Sequence, residues 1–408
     1  MWHRARQHLV QFDGKLWVLS VGWFVSAIGF AASIPFISIY FHDEFGLSIS
    51  QIGLFFGVMA VIKSVLQVVG GEVSDRVERS RILIMAQLFR AAAFLLLAGA
   101  IQFHWGFWWC AVFMLVNATF GAIFQPVANA VVSDILPPEK RLDGYAITRT
   151  AGNLGWAAGP AIGGFLSTAS YSLLFVISSS VTLLSGFIFL AFLRVRQVDS
   201  PRDRFKLADL IAIREDPLLA RHAALIFFLY LVVAQLIAPF SVYAVEMVGI
   251  SKTQLGYLYT LNGLLVVALQ IPLTRFLSRY ALTSQLACGA FLYAVGYAMV
   301  GFFVGFPYFI LAILVVTLGE MFMSPPSLAL TSRLAPPGRM GRYMGVFGFF
   351  VTSGWSFGPL YGGLILDGLG NSPALAWLAI SSLALVPCVG YLLFRRRLPV
   401  EVNAPGRR

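Results

Sequence analysis

Glu320 stands in the stretch L-G-E-M-F-M-S-P-P, from Leu318 to Pro326, and is the one carboxylate that the sequence places near the middle of an apolar span. An ionised side chain at the centre of a bilayer costs about 2.5 to 3.5 kcal/mol on insertion scales, so a carboxylate kept there faces a polar cavity or takes up a proton. Such a group can trade its proton against a cationic part of a passing molecule, which is the chemistry of a coupled exporter. The plainer alternative is a protonated side chain bonded to a neighbouring helix. Lys63, Gln67, Asn117, Gln125, Gln235, Asn262 and Gln270 also interrupt apolar segments and together outline a watery path. Lys63 either lines that path or snorkels toward the nearer membrane surface.

These side chains need a scaffold, and composition says which kind. The chain has 408 residues, 59% of them hydrophobic and 12% charged, where a soluble domain carries about 25% charge. It belongs in a lipid bilayer. Cys110, Cys288 and Cys388 lie in apolar runs without paired spacing or a histidine cluster, and read as small core residues rather than a disulfide or metal set. The stretch from Met1 to Lys15 is polar, and the first apolar run leads on without a small-residue cleavage site, so no removable signal peptide is expected. No phosphate-binding loop, metal cluster or nucleophile with its base is visible, so neither a cofactor nor an enzymatic activity is expected.

The net charge of +11 is distributed in a way that points away from nucleic acid. Basic residues gather at Arg4, Arg6 and Lys15; Arg76, Arg79 and Arg81; Lys140 and Arg141; Arg194 to Arg221; Arg275 and Arg279; Arg333, Arg339 and Arg342; and Arg395 to Arg397. The alternate loops are nearly bare of basic residues, holding His42, Asp43, Glu44, His104 and a single Lys252. This is the positive-inside pattern, which puts both termini in the cytoplasm and demands an even number of spans. At about 20 residues per crossing, helices fall near 17–40, 50–71, 81–101, 107–131, 143–167, 171–193, 222–245, 253–274, 283–304, 308–332, 342–366 and 374–394. The polar interruption at 195–220 reads as a cytoplasmic linker, with Leu207, Leu210 and Ile211 on one face of a short surface helix. Trp105, Trp108 and Trp109 open a helix, as an interfacial aromatic belt would.

The two sides of the linker repeat one another. Ser50-Gln51-Ile52-Gly53 matches Thr253-Gln254-Leu255-Gly256, and Gln67 matches Gln270, at an offset of 203. Pro126 matches Pro325, and G-W-A-A-G-P-A-I-G-G from Gly155 matches G-W-S-F-G-P-L-Y-G-G from Gly354, at an offset of 199. The expected architecture is therefore an all-α membrane protein of twelve transmembrane helices in two pseudo-symmetric six-helix bundles, 1–194 and 221–408, joined by the linker 195–220. By this duplication Trp156 and Trp355 are equivalent, either lining the cavity or packing between helices.

After the second span, Gly71-Glu72-Val73-Ser74-Asp75-Arg76-Val77-Glu78-Arg79 resembles the loop signature G-x-x-x-D-R-x-G-R of the major facilitator superfamily, with Glu78 and Ser80 departing from it. The resemblance implies a gating latch of Gly71, Asp75, Arg76 and Arg79, with Asp75 meeting the positive N-terminus of the eleventh span; the second half keeps only Arg279. In the fifth span Arg149, Asn153, Gly155, Gly159, Pro160, Gly163 and Gly164 resemble the signature of the antiporters of this superfamily, and Gly354, Gly358, Pro359, Gly362 and Gly363 repeat its ending. Small residues four apart let helices meet backbone to backbone, and an internal proline permits a bend.

The fourth span reads Asn117-Ala118-Thr119-Phe120-Gly121 where the drug-exporting branch carries an arginine before a glycine, which shifts proton coupling onto Glu320. Arg90, on a third span that is peripheral in this family, is expected to be a structural tether. The stretch around Glu320 is also similar to the tenth span of proton-coupled peptide transporters, but Leu16 to Tyr40 lacks their E-x-x-E-R. The resemblance thus implies a monomeric proton-coupled exporter of small amphipathic compounds in the inner membrane, with protons, a small-molecule substrate and the bilayer as its partners. Uptake of a peptide or metabolite, flipping of a lipid-like molecule, and a non-transporting sensor are the alternatives.

Overall fold

The computed structural model describes residues 12–76, 78–137, 140–195, 216–336, 339–369 and 371–404, with the side chains of 64–77 and 142 outside that description. The linker helix expected around Leu207 and the loop residue Pro138 also lie outside the described residues. Among the described residues the secondary structure is helical: α1 Gly14–Phe45, α2 Ile49–Arg76, α3 Arg79–Gln102, α4 Phe107–Ile135, α5 Arg141–Ala169, α6 Tyr171–Phe192, α7 Pro217–Met247, α8 Lys252–Leu277, α9 Leu282–Phe302, α10 Phe306–Leu334, α11 Met340–Gly368 and α12 Pro373–Arg397. Helices are the answer that an apolar medium imposes, because each backbone N–H and C=O must be satisfied within its own segment. Nine of them are long and apolar enough to cross a membrane; the apolar stretch of α2 is shorter, Ile49–Lys63. In α5 and α11, glycine, proline and polar residues dilute the hydropathy.

Two helices are less regular than their sequences predict. Around Pro239, which lacks an N–H, α7 passes through a 3-10 turn at Ala234–Leu236 and ends in a π turn at Tyr243–Met247. α12 is interrupted between Ser382 and Leu385, because the ring of Pro387 displaces the carbonyl four residues before it.

The chain divides into two compact units. Unit 1 comprises Met1–Tyr40, Val61–Ser200 and Leu255–Gly263; unit 2 comprises Phe41–Ala60, Pro201–Gln254 and Leu264–Arg408. In unit 1, α3 packs on α4 and α6; in unit 2, α9 packs on α10 and α12, the same pairing six helices later. The core of unit 1 runs through Leu16, Leu83, Phe124, Val127, Val131 and Phe189. In unit 2, Leu219, Ala223, Tyr343 and Val346 join α7 to α11. Without water to drive burial, such contacts rest on close packing.

The glycine repeat is where that packing is tightest. A Cβ on Gly155, Gly159 or Gly163 of α5 would fall 2.5, 2.7 and 2.1 Å from Phe24 O, Ala31 Cβ and Ala32 O of α1. A Cβ on Gly354 or Gly358 of α11 would fall 2.6 Å from the Cβ of Tyr230 and of Ala234 in α7. Only glycine fits these seams. The shorter repeat also acquires a meaning. Ser48 with Gln51, and Ser251 with Gln254, form reciprocal capping boxes that open α2 and α8. The glycine after each box then meets backbone: Gly53 against Pro359 O within unit 2 at 2.5 Å, and Gly256 against Pro160 O within unit 1 at 2.4 Å, measured from an added Cβ. Left-handed glycines follow the duplication too, Gly46 with Gly249 and Gly106 with Gly305.

Two of the cysteines depart from expectation. Cys110 is buried, but Cys288 is exposed and Cys388 partly so. A thiol is apolar enough to sit on a surface turned to lipid, so apolar neighbours in the sequence did not distinguish that surface from a core.

Candidate functional site

In unit 2, Glu320 is the middle residue of the 29-residue helix α10 and is partly buried, and the ring of Tyr293 of α9 packs on the preceding residue, 3.1 Å from where a Cβ on Gly319 would stand. Gln270 of α8 reaches the same level, its Nε2 donating to Met321 O at 3.3 Å and to Thr274 Oγ1 at 3.1 Å. A carboxyl, a tethered amide and a phenol thus share one stretch of α8, α9 and α10. Gln235, expected to line the path, is instead wholly buried: its Nε2 donates to Leu231 O at 2.6 Å and Gly358 O at 2.8 Å, strapping α7 to α11. Backbone carbonyls meet the hydrogen bonds of its Nε2, while its buried Oε1 has no partner among the described residues. Trp355 is half-buried on α11.

Unit 1 holds a different group. Arg90 of α3 is 4% exposed and its Nη1 donates to Ser26 Oγ at 2.9 Å and Gln87 Oε1 at 3.0 Å, while the guanidinium lies 5.5 Å from the ring centre of Phe30. Gln87 in turn donates to Ser185 Oγ, which donates to Gly22 O, so α1, α3 and α6 together fix the arginine. Asn117 of α4 is buried as well, donating from Nδ2 to Arg90 O at 3.1 Å. The Nε of Arg90 faces Gly121 of α4, 3.5 Å from where a Cβ would stand. The guanidinium that the fourth span lacks therefore arrives beside its glycine from the third span. Lys63 of α2 is partly buried.

The remaining expected lining residues are dispersed. Gln125 is exposed on α4, Asn262 is partly buried on α8, and Trp156 is exposed on α5 with its ring edge-on to Phe30 at 5.8 Å. The side chains of Gln67, Asp75 and Arg76, and the surroundings of Gly71, lie outside the described residues. Arg79, expected in the latch, forms a buried ion pair with Asp134 that ties the start of α3 to the end of α4. Arg279, the repeat partner of Arg76, is exposed and stacks on Phe276. Among the described residues no group of side chains could hold a metal ion.

One buried network was not singled out in the sequence. His222 of α7 places Nε2 3.3 Å from Ser327 O and 3.0 Å from Thr331 Oγ1, with Nδ1 3.1 Å from the Tyr391 hydroxyl. Since a carbonyl only accepts, Nε2 carries the hydrogen and Nδ1 accepts from Tyr391. A lone histidine at the sixth residue of an apolar helix gave no hint of partners 105 and 169 residues away.

The profile of the Major Facilitator Superfamily matches residues 19–244 and again 223–408. The chain belongs to that superfamily. Its membership makes it a transporter with helices that span a membrane. Among curated relatives, the uncharacterized MFS-type transporter YttB of Bacillus subtilis is 27% identical over 392 residues, covering 93% of this chain and 95% of that one. The multidrug resistance protein MdtH of Aeromonas hydrophila is 25% identical over 369 residues, covering 90% and 91%. A crystal structure of a POT family transporter in complex with a thioalcohol-conjugated peptide has the same fold, with a TM-score of 0.76 at 14% identity over 94% of this chain and 96% of that one.

Proposed function

We propose that this transporter is a proton-coupled exporter of small amphipathic compounds, working by alternating access in the inner membrane as a monomer with both termini in the cytoplasm. The observation that carries the reading is Glu320, a carboxyl at the midpoint of α10 among polar neighbours, where an ionised group is costly unless it exchanges its proton or meets a cation. Protonation and the cationic part of a cargo compete for that carboxyl. The superfamily scaffold and the similarity to MdtH support export. Alternating access moves the two sequence halves, 1–194 and 221–408, with Gly71, Asp75 and Arg76 as the cytoplasmic latch. Trp156 and Trp355 offer rings to the cargo.

The test is flux in vesicles with an imposed pH gradient, across a panel of cationic, neutral and anionic dyes. Glu320→Gln is expected to abolish gradient-driven accumulation while exchange without a gradient continues. Unchanged gradient-driven flux in the variant removes proton coupling through Glu320, and absence of any flux in the unaltered protein favours a sensor.

A further inference from the structure

We infer that the end of α12 in unit 2 is a docking site for an acidic phospholipid, whose phosphate is gripped by Arg395, Arg396 and Arg397 while its acyl chains run along the apolar face of the same helix. The inference stands apart from Glu320 and from the direction of transport. Val389, Leu392 and Leu393 are exposed on α12, a helix long and apolar enough to cross a membrane, so this face meets acyl chains. Residues four apart on a helix stand one above the other. Arg396 and Arg397 therefore continue the line of Leu392 and Leu393 at the point where the span ends, and all three arginines are exposed there. Among the described residues none of the three is in an ion pair. Glu401 is the one carboxylate from Arg395 to Ala404, too few to neutralise them.

A run of basic residues after a span is ordinarily a loose anchor, but this one is held on both sides. Before it, Tyr391 and Phe394 are buried; after it, Leu398 is buried and the chain enters a short helix, Val400–Asn403. Asn403, itself buried, accepts at Oδ1 from Thr283 N at 3.0 Å and donates from Nδ2 to Thr283 Oγ1 at 3.0 Å, at the start of α9. Arg333, at the end of α10, donates to Val402 O and Ala404 O. This clasp fixes where the three guanidinia emerge, which lowers the entropy lost on binding. On the clasp Val400 is 80% exposed, an aliphatic side chain beside the arginines, as suits a segment lying in the headgroup layer. Guanidinium forks bind phosphate through paired N–H donors, and acidic headgroups attract basic residues next to a span. A soluble phosphate shares the first of these contacts. Lipid is the occupant argued here, because the arginines and the exposed leucines lie in one line and a single amphipathic molecule satisfies both.

The experiment is a titration of the full chain in detergent, read by native mass spectrometry as the affinity for the first molecule bound. The probes are dioctanoylphosphatidylglycerol, dioctanoylphosphatidylcholine and glycerophosphoglycerol, the acidic headgroup without its chains. The acidic lipid is expected to bind tightest of the three. Replacing Arg395, Arg396 and Arg397 together by glutamine is expected to weaken it about fivefold or more, the effect of taking at least one arginine away from an acidic surface, and to leave phosphatidylcholine as it was. Lys15, Arg81 and Arg194, exposed at helix ends of unit 1, replaced together by glutamine remove the same charge and are expected to leave the acidic lipid bound as before. Asn403→Ala keeps every charge but opens the clasp, and is expected to weaken the acidic lipid by a smaller factor while hydrogen exchange at residues 400–404 rises. Equal losses in the two triple variants, or no loss in the first, overturn the site in favour of diffuse attraction. An unchanged affinity in Asn403→Ala, with exchange risen, overturns the part given to the clasp. Glycerophosphoglycerol binding as tightly as the lipid assigns the arginines to a soluble phosphate and overturns the docked lipid.

Discussion

Unit 1 and unit 2 share a packing scheme and differ in their charges. In both, a helix rich in glycine closes on a neighbour at backbone distance, α5 on α1 in unit 1 and α11 on α7 in unit 2, while the capping boxes that open α2 and α8 both fall in unit 2. At mid-span, however, unit 1 buries a guanidinium among neutral partners, whereas unit 2 carries a carboxyl next to a glycine on which a tyrosine ring packs. At the loop ends the Arg79–Asp134 pair of unit 1 has Leu282 and Arg333 at the equivalent places in unit 2, which cannot pair. Asp367 of α11, which accepts from the backbone N–H of Ile49 and Ser50 in unit 2, corresponds to Thr168 in unit 1. Duplication preserved what holds the helices together and released what acts on a cargo.

The sharpest way to break the shared part is to fill a seam. Gly163→Leu and Gly358→Leu should each cost more than the roughly 1–3 kcal/mol of ordinary overpacking, because the obstructing atoms include backbone, and should remove most folded protein as read by size-exclusion chromatography. Gly348→Leu, with open space around it, should behave as wild type. A large effect in only one seam would mean that the two are not equivalent. Next in size is Asp134→Ala, which strands Arg79 in a buried place and should cost about 3–5 kcal/mol. Arg279→Ala removes an exposed stacking contact and should change the melting temperature little. If both variants melt alike, the contrast between these loops fails. Asp367→Asn should destabilise unit 2 by about 0.5–2 kcal/mol through loss of a charged cap on α2, with Thr168→Ala smaller. Last, Ser48→Ala and Ser251→Ala should each cost about 1 kcal/mol, and hydrogen exchange at the first turns of α2 and α8 should rise by similar factors.

Much of this was legible in the sequence. The spans, the duplication and the glycine seams follow from apolar run length and from a spacing of four, both of which are local properties of a chain in lipid. The partners of polar residues were not legible, because each depends on what folding brings to it. Gln235 looked like cavity lining and is a buried strap, since two carbonyls, one of them 123 residues away, accept from its Nε2. Arg90 looked peripheral and stands beside Gly121, because α3 packs on α4 as well as on α6. His222 carried no local signal at all.

The exchange of a proton for cargo at Glu320 is tested most directly by titrating protons rather than flux. When rhodamine 123 is added to the purified protein in weakly buffered solution containing a pH-sensitive dye, the account predicts proton release that rises with occupancy and vanishes in Glu320→Gln at saturating dye. Equal release from both proteins, or none from the unaltered one while rhodamine 123 binds, would contradict it.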